Sequence, residues 1–416
     1  MALNLGLGLA LTRNKGGSFY AGWGLAFDFV RGLYRVGVGN GASTSWLTQP
    51  GVSYARTGEQ LSYNPVTGQW EVFAANVPAI LTGAGQDIAE GTTNKCTNYN
   101  AAPDAVAVRI ALTQGALTRV DDTAALRAAG LGPLIDAGKL SGLVWKVDNT
   151  AFGTTAYLTV DGATGNTNTH WNSCFIRGGS GAIRSTAGGA AGRLAFSSSA
   201  GYRRLGVAIA PTNSSITAQY EIDAGQVVYF ILNQLEEKAY ATNPVIVAGA
   251  SASRGNAQPV VTGLSSILTP PFTLVAFANL TQYLSVGRDF AYVSDGSTAN
   301  RFKPFVNAGG QVTTAVTAGG VGQGAVSSPA ITGPRLVKTA IRVRTGAYSQ
   351  FVDGVLIGTT SIPDPTGLNQ TTLGTFIGAS GEFLNSPLLF AGIAPDLTDA
   401  QLQALTASNG LLTDFL

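Results

Sequence analysis

Histidine, cysteine and charge are all scarce in this chain of 416 residues. His170 is the single histidine, and Cys96 and Cys174 are the two cysteines. That excludes a histidine-rich metal centre. It also excludes structural zinc held by four cysteines or by two cysteines and two histidines. A Ser-His-Asp triad would have to run through His170, yet no Asp or Glu lies close to it in sequence and there is no serine elbow motif. Two cysteines do not make a disulfide scaffold. They are expected as small buried side chains, and whether they pair does not follow from sequence. Only 12% of residues are charged, 25 Lys and Arg against 23 Asp and Glu, when about 25% is usual. Long solvated helices need far more Glu and Lys, so a helical bundle or coiled coil is not expected. The net charge of +2 gives no electrostatic case for nucleic acid or an anionic membrane. No run approaches the ~18 apolar residues of a membrane span. The opening MALNLGLGLAL has no basic residue before its apolar stretch, the first charge being Arg13, so Sec export is not expected.

What the chain does have is glycine, 54 residues, and a hydrophobic fraction of 45%, too high for a disordered chain. Short apolar runs alternate with Gly, Asn, Asp and Pro clusters about every ten residues, the spacing of sandwiches and barrels. Asp161-Gly162, Asp295-Gly296 and Asp353-Gly354 each adjoin apolar runs and suit type I′ hairpin turns. From Ala340 to Arg344, Ile341 and Val343 point one way and Arg342 and Arg344 the other, as on a half-buried strand. Val227 to Leu232 is apolar at every position, which predicts a central strand covered on both faces.

Two stretches read as helical. Asp121–Leu126 has capping residues, with Gly130 and Pro133 expected to end it. Thr398 and Gln401 form a capping box ahead of Leu402 and Leu405, so residues 398–406 should close the last sandwich with both leucines buried. The fold class is therefore all-β, as tandem sandwiches. At about 150 residues per domain, the boundaries fall at 1–98 for a Gly-rich N-terminal segment, 99–247 for a first sandwich, 248–257 for a linker and 258–416 for a second. The segment 1–98 holds Trp23, Trp46 and Trp70 and buries little alone, so it is expected to pack against sister subunits or other proteins.

Three sets of residues, in order, resemble a group of tailed-bacteriophage virion proteins. The first is Tyr54-Ala55-Arg56-Thr57-Gly58, Asn64-Pro65-Val66-Thr67-Gly68, Ala74-Ala75-Asn76-Val77-Pro78 and Thr93-Asn94. It is similar to a "TRAS, DPxTG, AANxPR, ARTN" series, with Ala79 and Thr92 where that series has Arg. The second runs from Gly201-Tyr202-Arg203-Arg204 through Gln234-Leu235-Glu236-Glu237 to Ala241-Thr242-Asn243-Pro244-Val245. It resembles the end of a carbohydrate-binding-type jelly roll, "GWYR" before "QLExGxxATSPI". The third is Phe351-Val352-Asp353-Gly354-Val355, Ile377-Gly378-Ala379 and Leu397 to Leu405, similar to the end of a concanavalin A-like, laminin G-like domain. The resemblance implies a virion structural protein, a tail fibre, spike or head decoration. It implies other virion proteins as partners, a homotrimer as the first expectation for the assembly, and contact with host-surface glycans.

Candidate chemistry is sparse. Glu221-Ile222-Asp223 puts two carboxylates on one strand face. Laminarinase-type glycanases add a third carboxylate to such a pair for hydrolysis, but Ala224, Gly225 and Gln226 follow here, so a solvated strand face is expected and no catalytic residue. His170-Trp171-Asn172 follows the polar run Gly165–Thr169, and a glycan-contacting loop would use Trp171 for stacking with Asn172 and Asn168 reading hydroxyls. Because charge is sparse, such binding is expected to depend little on salt. The Gly-rich stretches 188–192 and 319–324 lack a following Gly-Lys-Thr or Gly-Lys-Ser, so they should supply turns, not phosphate loops. Asp121, Asp122 and Asp295 lack a dense oxygen-ligand loop for calcium. No metal or cofactor is expected. The alternatives are a purely architectural virion protein and a polysaccharide depolymerase.

Overall fold

The computed structural model describes residues 23–37, 43–90, 92–96, 110–160, 166–185, 192–214, 216–238, 240–245, 252–280, 287–375, 384 and 386–407. The described chain is all-β, built of antiparallel sheets with a few short helices. It forms two compact units. One combines residues 23–55, 78–90 and 257–407, and the other combines 56–77 with 92–256.

The first unit is a sandwich of a 9-stranded and an 8-stranded sheet. The larger sheet runs Leu33–Val36, Leu25–Asp28, Pro387–Ala394, Phe272–Leu280, Arg335–Arg344, Ala347–Val352 and Val355–Ser361. Alternation fills the space between the sheets with Leu274, Ile341, Val343, Phe302, Val312 and Ile393, among others. Arg342 and Arg344 face away from that core, as their alternation with Ile341 and Val343 predicts. Both reach the C-terminal segment: Arg342 pairs with Asp399, and Arg344 with Asp396 at 2.9 Å. The final helix, Asp399–Ala407, covers this outer face. Its capping box is formed: the Thr398 N–H donates to Gln401 Oε1 at 2.8 Å, and the Gln401 N–H donates to Thr398 Oγ1 at 3.3 Å. Leu402 is fully buried against Val275, Phe277, Ala340 and Phe351, while Leu405 is only half-buried and Thr406 takes the second buried position.

Of the three Asp-Gly pairs, Asp353-Gly354 makes the expected type I′ turn, with φ of 47° and 85°. Asp295-Gly296 instead opens a loop between Ser294 and Arg301. The Asp295 carboxylate accepts from the Ser297 N–H and hydroxyl and from Asn300 Nδ2. Side-chain hydrogen bonds shape that loop together with the positive φ of Gly296 and a backbone bond from the Asp295 N–H to the Asn300 carbonyl. Asp161-Gly162 lies outside the described residues, as do Gly188-Gly189-Ala190-Ala191 and Ile377-Gly378-Ala379. Gly319-Gly320 is the two-residue turn between Gln311–Ala318 and Val321–Ala330.

The second unit is a sandwich of two 5-stranded sheets. One sheet is ordered Ala116–Asp121, Leu143–Asp148, Val227–Glu236, His170–Gly178 and Ser199–Ile209. The other is ordered Leu194–Phe196, Gly181–Ser185, Ala218–Ile222, Ala156–Val160 and Ile110–Leu112. As expected, Val227–Glu236 is central and covered twice. Val228 and Phe230 enter the core between the sheets, and Tyr229, Ile231 and Leu232 pack on the other face. That other face is covered by Leu126, Leu131 and Leu134 of the helical segment and by Leu61 and Trp70 of a hairpin, Gln60–Asn64 with Gln69–Phe73. The helical segment begins at Thr123 and kinks at Gly130. Pro133 does not end it but sits in the first turn of a second helix, Gly132–Asp136, where its missing N–H costs nothing. Cys96 and Cys174 are buried in the inter-sheet core and are not joined in a disulfide.

The described part of residues 1–98 does not stand alone, which corrects the expectation of a separate assembly segment. Leu25–Asp28 pairs with Pro387–Ala394, and Val52–Ala55 pairs with Gln258–Val261, in the first unit. The 60–73 hairpin and Thr92–Asn94 belong to the second. A Gly-rich segment with little to bury alone gains its hydrogen bonds and apolar cover by completing both sandwiches. The expected linker 248–257 is likewise partly structured: Ala252–Arg254 pairs with Thr92–Asn94.

Most of the sequence motifs prove to be internal ties. Buried Arg56 donates to Gln60 Oε1 at 2.6 Å and to the Phe73 and Ala74 carbonyls, clamping the hairpin. Asn76 Oδ1 accepts the Arg56 N–H. Asn94 Oδ1 accepts the Cys96 and Leu235 N–H groups. Glu236 accepts the Thr242 N–H and hydroxyl, and Arg204 donates to the Thr242 carbonyl at 2.6 Å. Each tie satisfies a buried polar group that would otherwise cost about 1–3 kcal/mol. These residues fix loops.

Candidate glycan-binding face

The outer face of the second unit's sheet around Ala218–Ile222 is built by simple alternation. Leu158, Tyr220 and Ile183 point into the core, so their neighbours point outward. Register places Tyr157 beside Glu221 and Glu221 beside Ala182. The next outward row is Thr159, Gln219 and Arg184. Arg184 reaches back along the face, and its Nη1 donates to Glu221 Oε1 at 2.8 Å. Arg193, entering the neighbouring strand, donates from Nε to Glu221 Oε2 at 2.7 Å. The Arg184 guanidinium also lies 5.8 Å from the Tyr157 ring centre, within cation–π range. Gln219 Nε2 donates to Thr159 Oγ1 at 3.1 Å.

Glu221 is the organising group. Its side chain is 7% exposed, against 31% and 45% for Arg184 and Arg193. Burial alone would raise its carboxyl, but the hydrogen bonds from Arg193 and Arg184 override burial and hold it below the ordinary carboxylate range. It stays ionised, with both oxygens occupied. Asp223 lies beyond the strand end and accepts the Ser180 hydroxyl at 2.6 Å. The expected solvated strand face carrying both carboxylates is not formed: Glu221 is buried under two arginines, and Asp223, past the strand end, is tied to a serine.

The glycan-contacting loop expected at 168–172 is not arranged as such. His170–Gly178 is a strand, so Trp171 and Asn172 project to opposite sides of their sheet and cannot serve one ligand. Asn172 is fully buried between the sheets; its Nδ2 donates to the Arg184 carbonyl and its Oδ1 accepts the Tyr220 hydroxyl. Trp171 is half-buried against Gly206, with its indole nitrogen out of solvent. Asn168 is exposed, but it and Asn166 both donate to Glu237. His170 is buried, and its Nδ1–H donates to the Asn168 carbonyl at 2.6 Å. Burial lowers its pKa, against the carbonyl contact that raises it. The cluster is a pinned strand entry.

The carboxylates considered for calcium are engaged by protein donors. Asp121 accepts the Thr123 N–H, and Asp122 accepts Arg177 and the Tyr202 hydroxyl. Among the described residues, no three His, Cys, Asp or Glu side chains are grouped to hold a metal.

Tyr157, Thr159, Arg184, Arg193 and Gln219 were not singled out from sequence. Their one signal was the polar alternation in Tyr157-Leu158-Thr159-Val160 and Gln219-Tyr220-Glu221-Ile222.

No protein-family model matches the chain, and no curated protein matches it. Among solved structures it is similar to the CBM40 domain of Ruminococcus gnavus IT-sialidase, at 20% identity over 33% of this chain and 82% of that one, with a TM-score of 0.29. The same domain bound to α2,6-sialyllactose aligns at 18% identity, over 35% and 91%, with a TM-score of 0.30. The botulinum neurotoxin serotype C1 binding domain aligns at 12% identity over 38% and 42%, with a TM-score of 0.30. The functional reading that follows therefore rests on the residues of this chain.

Proposed function

We propose that this chain is a non-catalytic carbohydrate-binding protein whose sugar-contacting surface is the face of Tyr157, Gln219, Arg184 and Arg193. The observation that carries this reading is the pairing of an aromatic ring with guanidiniums fixed by a buried carboxylate. Sugar rings offer C–H faces for Tyr157 and hydroxyls for directed donors and acceptors. Pre-ordered side chains lose little rotamer freedom on binding. An enzymatic reading would ask Glu221 to deliver a proton, which a carboxyl held ionised by two arginines does poorly.

The finer reading is a surface protein of a tailed-phage virion, assembled as a homotrimer and contacting host glycans. It is supported by the order of motifs along the chain, whose polar members now have structural roles. A purely architectural virion role is the second reading. The uncharged edge strand Val321–Ala330, largely exposed, favours it, since such edges invite pairing with another chain.

The test is Tyr157→Ala measured for adsorption to host polysaccharide. Loss of most binding, with the melting temperature kept, is the expected result. Undiminished adsorption would move the site elsewhere, and no adsorption by the wild type would favour the architectural reading.

A further inference from the structure

The outer face is rich in unused donors. Each guanidinium carries five N–H groups, yet Arg184 and Arg193 make only three N–O contacts between them, all to Glu221. Among the described residues nothing else takes up the remaining N–H groups. Both oxygens of Glu221 are occupied by the same contacts, one on Oε1 and two on Oε2. Of the other outward side chains, Gln219 donates from Nε2 to Thr159 Oγ1. The face therefore matches a ligand that brings acceptors in a plane. With Asp223 counted, the two cations are balanced by two anions, so recognition would come from directed N–H groups at contact range, not from a long-range field.

We propose that this face selects a carboxylate-bearing sugar, a uronic or other sugar acid, whose carboxylate takes the free N–H groups of Arg193 and Arg184 while its ring lies against Tyr157. The inference rests on the glycan-binding reading above. A planar carboxylate suits two guanidiniums better than a neutral hydroxyl does, because two parallel N–H donors can meet its two oxygens. A sulfate ester presents the same charge with tetrahedral geometry. Glu221 keeps the two guanidiniums in place before the ligand arrives.

The experiment uses the full chain and three matched probes: a glucuronate-terminated oligosaccharide, its carboxyl-reduced neutral counterpart, and its glucose 6-sulfate counterpart. Calorimetry should show the carboxylate probe binding about tenfold or more tightly than the neutral one, with the sulfate probe weaker than the carboxylate. Arg193→Gln should erase the preference by weakening the carboxylate probe far more than the neutral one, in a chain whose circular dichroism shows it still folded. Arg193→Lys should restore part of it, because charge is kept and the planar fork is lost. Equal affinity for carboxylate and neutral probes, or a preference that survives Arg193→Gln, would overturn the inference while leaving glycan binding intact. A sulfate probe that binds as tightly would overturn the carboxylate assignment. No binding of any probe would overturn both.

Discussion

Arg193 closes on Glu221 through the carboxylate oxygen that Arg184 leaves open, with Nη2 at 2.6 Å from Oε2. The three residues come from two strands and the entry to a third, so the contact also ties neighbouring strands together.

That tie has a pH signature. Glu221 titrates lower in the folded chain than its ordinary value of 4.5. A depressed carboxyl contributes stability above its unfolded value and loses it as pH falls through the folded one. Glu221→Gln should therefore destabilise the protein at pH 7, and the gap between variant and wild type should shrink as pH falls below 4.5. Urea melts at neutral and acid pH would read it. A gap independent of pH would mean that the arginine contacts contribute no linked stability.

At the opposite end of the pH scale, burial pushes Tyr34 and Tyr348 up to about 12, with Asp28 adding to the effect on Tyr34. The unfolded chain ionises these phenols near their ordinary 10.0, so stability should fall as pH rises from 10 toward 12. Spectrophotometric titration of the native chain should show a group of late phenols, Tyr34 and Tyr348 together with buried Tyr202, Tyr220 and Tyr292, that titrate early after denaturation. Phenylalanine at position 34 or 348 should remove one.

The C-terminal helix should be docked strongly enough to measure. Leu402→Ala removes a fully buried side chain from the Val275, Phe277 and Phe351 cluster and should cost about 2–5 kcal/mol. Gly354→Ala tests the same contact from the turn. Its φ is +85°, and an added Cβ would lie 2.6 Å from that of Ala407, so this change should also lower the melting temperature. Melting temperatures unchanged in both variants would show that the helix is not held.

Asn172 and Trp171 should behave as framework. Asn172→Ala would leave the Arg184 carbonyl and Tyr220 hydroxyl without their partner, at a cost of about 1–3 kcal/mol. Trp171→Ala should lower stability and leave sugar affinity unchanged in a chain that still folds. Lost affinity with unchanged stability would return the site to residues 168–172.

The sequence was most informative where period and composition act locally. The all-apolar Val227–Leu232, the alternation at Ile341–Arg344 and the Thr398–Gln401 capping box all took the expected form, because each depends on neighbours within a few residues. Two kinds of feature were illegible. Pro133 reads equally as a stop and as a first-turn residue, and tertiary packing of Leu131 and Leu134 decided between them. The face around Glu221 depends on which strands lie side by side, and register across residues 157, 184 and 221 is not written in any local pattern. Trp171 and Asn172 failed as a pair for a related reason: a polar preamble suggested a loop where pairing with Ser199–Ile209 makes a strand.

The most direct test of where this chain meets sugar is a crystal structure of the full chain soaked with a glucuronate-terminated oligosaccharide. The account predicts density for the ring against Tyr157, with the carboxylate within hydrogen-bond distance of Arg193 and Arg184. Sugar bound only beside Trp171 and Asn168, or anywhere on the other unit, would contradict it.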